Sequence, residues 1–585
     1  MSAVTTSASM TSPTSMTSPT RPTRPTRPTR PAAPSAGRVV VFRNGPVFTG
    51  TASRATASAV AVVGEHIAAV GGDEQVAPFV SRADEIVDLD GRLLGPGFHD
   101  AHAHPLHAGL ELIRCDLTPG ETAVDYLDLI GRYASANPDQ PWILGGGWAM
   151  AAFPGGCPTA VALDAVVADR PVLLPNRDHH SAWVNSRALE LAGIDARTPD
   201  PADGRIERDA AGNPTGTLHE GAEHLVRQLA PQDTTVDFDD ALRLAQDHLH
   251  ALGIVGWQDA WVLAGDHDAY LRADTAGRLT ARVRGALWWE RGCPADGVAE
   301  QVAELVRARE QAAGSVDLKA RRYVPGTVKV MQDGVAETYT AAMLEPYLDR
   351  CGHPTANTGH SFLDAALLRQ VVPALDAAGF QVHFHALGDR AVRECLDAVE
   401  AAGITGKDLR HHLAHLQLVH PDDIGRFRPL RAAATIQALW ACHDPQMDEL
   451  TIPFLGDRRA GWQYPFGDLE RAGAVLAMGS DWPVSSPDPW QAIHVAVNRV
   501  EPGAAPDTPP LLVHQQVSLA TALTAYTAGS AWVNHVDDVS GSITVGRQAD
   551  LAVCDRDPFN GGVEEIAHTR VQVTYVAGRL VSGGA

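Results

Sequence analysis

Leu94-Gly95-Pro96-Gly97-Phe98-His99-Asp100-Ala101-His102-Ala103-His104 reads as an extended run interrupted once. Pro96 and Gly97 break the strand that ends at Leu93 and Leu94, and Phe98 restarts it. Side chains alternate along a strand, so Asp100, His102 and His104 share one side while His99 points to the other. Two imidazoles two residues apart on one face can grip one metal ion, and neutral imidazole suits zinc, iron, nickel or copper. With 25 histidines in 585 residues such a pair also arises by chance. Its meaning depends on whether the rest of the chain supplies further ligands.

Outward from this stretch, short β segments ending in polar residues recur. After residues 94–104 come 254–259, 281–289, 326–333, 380–389, 411–419, 432–440 and 473–481, which makes eight. Helical patterns such as 363–378 and 391–402 lie between most of them. Eight βα units predict an α/β fold, a (β/α)8 TIM barrel spanning 95–540. Residues 110–240 are too long for one crossover and read as a large insertion after the first barrel strand, mixing helix with turn signals such as Gly145-Gly146-Gly147.

Both flanks differ in style. Residues 38–94 hold short strands with hairpin turns at Gly64-Glu65 and Gly71-Gly72. The stretch 541–585 repeats the pattern in 543–545, 549–554 and 571–576. Neither end has strands enough for a stable sheet alone, so the two are expected to pair into one small β-sandwich domain. Residues 1–37 repeat Met-Thr-Ser-Pro-Thr twice and Thr-Arg-Pro four times. Almost no large apolar residue is present to offset the entropy of ordering, so a disordered tail is expected, and the lack of an apolar core argues against a signal peptide.

Composition bounds the function. The net charge is −23, and setting aside the four arginines of the acid-free first 37 residues leaves −27 on the remainder. That argues against nucleic acid or an anionic membrane as a partner. No apolar run reaches the ~18 residues of a membrane span. Seven scattered cysteines without a Cys-x-x-Cys fit neither a disulfide framework nor a thiolate zinc site, and point to a reducing cytoplasm.

In such a barrel the chemistry sits at the C-terminal strand ends. Those ends offer His102 and His104, then Lys329 between two valines, His383 and His385, His415, and Asp481. A lysine inside an apolar strand is costly unless paired or chemically altered. With a lowered pKa it can take up carbon dioxide and become an anionic carbamate. His383 reads as support or pocket wall, His411 and His412 as structural or solvent-side, Asp389 as a helix N-cap, and Asp333-Gly334 as a turn. Trp148, Trp183, Trp257 and Trp440 fall near loops or strand ends and are candidate walls of an apolar pocket.

These residues carry a resemblance. The chain resembles the amidohydrolase superfamily, and within it the amidohydrolase-3 group that includes N-substituted formamide deformylases. The matching motifs are Pro96 to His104, Val328-Lys329-Val330 with Asp333-Gly334, His385 to Asp389, His415, and Gly479 to Val484, with His99 departing from the family's usual aliphatic residue. The resemblance implies a divalent metal centre, zinc first among candidates. His102, His104 and Asp481 would hold one ion, His385 and His415 a second, and Lys329 would bridge as a carbamate. It also implies metal-assisted hydrolysis in which Asp481 takes the proton of the attacking water and passes it to the leaving amine. His180 resembles an electrophilic histidine of the family's insertion. The expected substrate is a small linear amide, an N-formyl or N-acyl amine, bound near Trp148, His180 and Trp440; a homo-oligomer such as a dimer is a candidate assembly that the sequence does not decide. The stretch 437–447 resembles a deformylase-type loop, in which Cys442 could contact substrate but has no base partner. Competing expectations are a cyclic-amide hydrolase or deaminase on the same barrel, and a non-catalytic binding protein.

Overall fold

The computed structural model describes residues 37–583 apart from 52–53, 202, 316–320 and 404–405. The expected disordered tail, residues 1–37, lies outside the described residues except for Gly37. Eight parallel strands form one sheet: β1 (Phe98–Ala103), β2 (Ile254–Val262), β3 (Arg282–Trp288), β4 (Tyr323–Met331), β5 (Gln381–Ala386), β6 (His412–His415), β7 (Ala433–Ile436) and β8 (Val475–Met478). They neighbour one another in chain order. The last and first strands meet just beyond their ladders. Asp481 N–H donates to the His102 carbonyl at 2.7 Å, and His104 N–H to that of Trp482 at 2.8 Å. This is a TIM-barrel-like α/β fold, and the closing contacts themselves join two predicted ligand positions.

Two of the helices between strands are capped by side chains, at Thr234 and at Asp364. Helix Thr235–Ala251 starts where the Thr234 hydroxyl accepts the Asp237 N–H and the Asp237 carboxylate accepts the Thr234 N–H. Ala241, Leu242, Ala245 and Leu249 form its buried face. It packs on helix Pro105–Leu112, which directly follows β1.

The interior beneath the strand ends is polar. Gln258 Oε1 accepts from His383 at 2.6 Å and His412 at 2.9 Å, and Gln381 joins Thr327 to the carbonyls of Arg410 and Val533. His411 and His412 are both buried, so neither faces solvent: His411 Nδ1 accepts the Val382 N–H, and His412 also reaches Thr435.

The insertion carries a six-stranded sheet of its own, in the order Gly204–Arg208, Pro214–Glu220, Ser181–Val184, Val172–Pro175, Ile143–Gly146 and Cys115–Asp116. Strands from the two flanks of the barrel share another sheet of eight strands. The junction is strand Leu94–Pro96, which runs antiparallel to Leu551–Cys554 and beside Val39–Val47. Phe42 and Tyr575 lie three strands apart in this sheet, yet their rings meet edge to face at 5.4 Å. Flat strands ~4.8 Å apart would hold them at more than twice that distance, so the sheet folds over its own core. Residues 543–545, expected to be a strand, lie outside every strand and a turn begins at Val545, although Ile543 is still buried in that core. Among the described residues no helix is long and apolar enough to cross a membrane.

Candidate metal centre

The strand ends bring His102, His104, Lys329, His385, His415 and Asp481 to the wall of one cavity of about 430 Å³. His102 Nε2 lies 3.2 Å and His104 Nε2 2.9 Å from the same oxygen, Asp481 Oδ1. His415 Nδ1 lies 3.8 Å from Oδ2 and has no hydrogen-bond partner among the described residues. Burial holds the rings neutral, His104 at about 4, His415 at about 3, and His102 and His385 well below the usual imidazole value.

Proton counting gives these contacts their meaning. His383 Nδ1 donates to Gln258 Oε1, so its Nε2 is an acceptor, 2.8 Å from His102 Nδ1. His102 therefore carries its one proton on Nδ1 and presents a bare lone pair at Nε2. That lone pair faces a carboxylate oxygen. Two electron-rich atoms at 3.2 Å in a buried site repel unless a cation lies between them, so the residues fit a divalent metal ion. His385 is oriented likewise: its Nδ1 lies 3.1 Å from Asp333 Oδ1, leaving Nε2 for the cavity. Asp333 also accepts the N–H groups of Ala342, Leu387 and Gly388. It is the anchor of this corner, where the sequence had read only a turn.

Lys329 is 3% exposed, and burial brings its ammonium down to about 7. His99 turns away to Ser540 at 2.7 Å, as its parity requires. Asp100 accepts the backbone N–H groups of His102 and Ser480 and so ties β1 to the segment after β8. Asp389 is not the cap of its helix. Gly388 holds that position, and the Asp389 carboxylate accepts the Leu344 N–H.

The aromatic residues divide. Trp440 lines the cavity and stacks on His415 with centroids 5.3 Å apart. Trp148 does not line it. It is fully buried in the insertion's core against Trp183, with its indole N–H on the Leu174 carbonyl. Trp257 is also fully buried, its indole on the Tyr270 hydroxyl. His180 reaches the cavity from the insertion, with Nδ1 2.8 Å from Glu220 Oε1 and its ring 5.4 Å from that of His385. Burial would lower His180, but Glu220 more than offsets it and the imidazolium persists to about 9. Cys442 lines an adjoining cavity, its thiol pushed up by burial to about 12.

Residues 85–582 match the model of the amidohydrolase family. The chain belongs to this family. The amidohydrolase is 28% identical to the N-substituted formamide deformylase of Arthrobacter pascens, over 93% of this chain and 98% of that one. It is 29% identical to Protein LONG AFTER FAR-RED 3 of Arabidopsis thaliana, over 92% and 90% of the two chains. Among solved structures it is similar to an uncharacterized metal-dependent hydrolase from Pyrococcus horikoshii, with a TM-score of 0.69 and 25% identity, covering 90% of this chain and 99% of that one.

Several cavity residues of the amidohydrolase were missed in the sequence. Trp261 is the last residue but one of β2, Trp288 ends β3, and Arg291 follows in the loop beyond. His107, from the helix after β1, lies with its ring 4.9 Å from Trp261 and Nε2 3.4 Å from Asp266. Glu220, which holds His180, ends an insertion strand. The two tryptophans had a readable signal, since both stand at C-terminal strand ends. Glu220 had none, because its partner is 40 residues away.

Proposed function

We propose that this amidohydrolase cleaves a linear carbon–nitrogen amide, an N-formyl or N-acyl amine, with zinc as its metal. The observation that carries the hydrolytic reading is the bare Nε2 of His102 facing the Asp481 carboxylate at 3.2 Å. His102, His104 and Asp481, with His385 and His415 beside them, would hold one divalent ion or two, which would supply the Lewis-acid charge that polarises a carbonyl and acidifies water. Asp481 accepts the proton of the attacking water at a carboxylate oxygen and returns it to the departing nitrogen. His180, protonated against Glu220 through Nδ1, directs its Nε2–H at the oxygen that gains negative charge. Lys329 has the lowered pKa that carbamate formation needs, and as a carbamate it adds an anionic ligand. Trp261, Trp288 and Trp440 exclude water and seat an apolar substituent. Similarity to a formamide deformylase along nearly the whole chain supports the choice of a linear amide.

The test is a panel of N-formyl and N-acyl amines, with cyclic amides and amino-heterocycles beside them, given to the zinc-loaded enzyme. Release of a primary or secondary amine from linear members, abolished in Asp481→Asn, is the expected result. Turnover confined to cyclic amides, or release of ammonia alone, would overturn the proposal.

A further inference from the structure

Away from the cavity centre, the insertion holds a second cluster of metal-type donors that the proposed chemistry does not use. Cys157 follows the turn Pro154–Gly156, Glu207 lies on strand Gly204–Arg208, and His219 on the neighbouring strand Pro214–Glu220. Their donor atoms all lie within 4.8 Å of one another. His219 Nε2 is 3.1 Å from Glu207 Oε1 and 3.9 Å from Cys157 Sγ. Tetrahedral zinc with N and O near 2.0–2.1 Å and S near 2.3 Å puts neighbouring donors about 3.3–3.6 Å apart, so the two spacings from His219 need changes of only a few tenths of an ångström.

The orientation of His219 agrees. Its Nδ1 lies 2.8 Å from the Ser181 hydroxyl, which is fully buried. Serine can accept as well as donate, so His219 can carry its proton on Nδ1 and offer Nε2, the arrangement common to histidine ligands. The Ser181–His219–Glu207 chain is no hydrolytic triad, because a buried serine hydroxyl can meet no substrate. Arg205 pairs with Glu207 at 2.6 Å, but its side chain is 47% exposed, so it can release the carboxylate into water at little cost.

We infer that Cys157, Glu207 and His219 form a second, sulfur-containing site for a thiophilic divalent cation of the zinc class, with the fourth position open to water. Binding expels the Cys157 thiol proton, so one proton is released per ion and affinity rises with pH. The site would pin the 154–156 turn to the edge hairpin of the insertion. His219 directly precedes Glu220, the residue that holds His180, so the site sits one residue from the cavity's own supports.

Sulfur makes the test specific, since none of the proposed ligands of the central site is a thiolate. The exposed trio Asp349, Cys351 and His353 could also present sulfur, so the experiment uses the full chain carrying Cys351→Ser. Cadmium is titrated into this protein after the central site has been filled with zinc, and thiolate-to-metal charge-transfer absorption is followed in the ultraviolet. The expected result is a band that saturates at one cadmium per chain and is lost on adding Cys157→Ser or His219→Gln. In parallel, zinc should slow iodoacetamide labelling of Cys157 at least tenfold, read by mass spectrometry on protein with an unaltered thiol. Absence of the band, its survival in Cys157→Ser, or labelling indifferent to zinc would each overturn the inference.

Discussion

At the scale of single residues, the centre depends as much on what stands behind the proposed ligands as on those residues themselves. His383 and Asp333 fix which nitrogen of His102 and His385 bears a proton. Asp333→Asn keeps the shape but weakens the acceptor, and zinc affinity should fall about 10–100-fold in competition with a fluorescent chelator. Asp481→Asn should lower kcat about a thousandfold, the range of a lost general base, with an unchanged circular dichroism spectrum. His180 gives a pH signature. Its folded pKa, about 9, lies above the ~6.5 of a free imidazole, so the stabilisation it shares with Glu220 is whole below ~6.5 and is lost as pH rises through about 9. In metal-free protein, NMR should find the His180 ring titrating near 9 in the wild type and well below that in Glu220→Gln.

At the scale of elements, the seam between the first and last strands is the tightest place in the barrel. A Cβ added at Gly479 would lie 2.6 Å from His102 N and 2.8 Å from His102 Cβ. Backbone cannot step aside as a side-chain tip can, so Gly479→Ala should cost about 1–3 kcal/mol in chemical denaturation and weaken zinc binding with it. The same seam explains what the sequence disclosed. Strand parity placed His102 and His104 on one side and His99 on the other, and all eight barrel strands fell within the stretches expected for them or overlapped them. Parity is local and survives folding. Trp148 was misplaced because a tryptophan beside three glycines reads as a loop residue, whereas the insertion builds its own core around it. Periodicity along one segment cannot reveal which separate layer will cover it.

At the scale of the whole molecule, the two chain ends are joined through the barrel and not merely to each other. Arg282 at the start of β3 meets Asp550 at 2.9 Å, and both side chains are nearly buried. Asp550 also accepts the Ala577 N–H. Asp550→Ala would leave a buried guanidinium without its carboxylate and should destabilise the fold by about 3–5 kcal/mol in denaturant titration. Each flank carried hairpin chemistry without a complete sheet, and strands of both lie in one sheet. Contacts such as Arg282–Asp550, 268 residues apart, were not legible, because no local pattern links them.

The claim on which the rest stands is that the convergent imidazoles and Asp481 bind a metal on which hydrolysis depends. The most direct measurement strips the protein with a chelator, returns zinc stepwise, and follows bound metal and amide cleavage on the same samples. Activity should vanish in the stripped protein, return in proportion to zinc bound at the site, and fail to return in the double variant His102→Asn, His104→Asn. Full activity without metal, or full zinc-dependent recovery in that variant, would contradict the account.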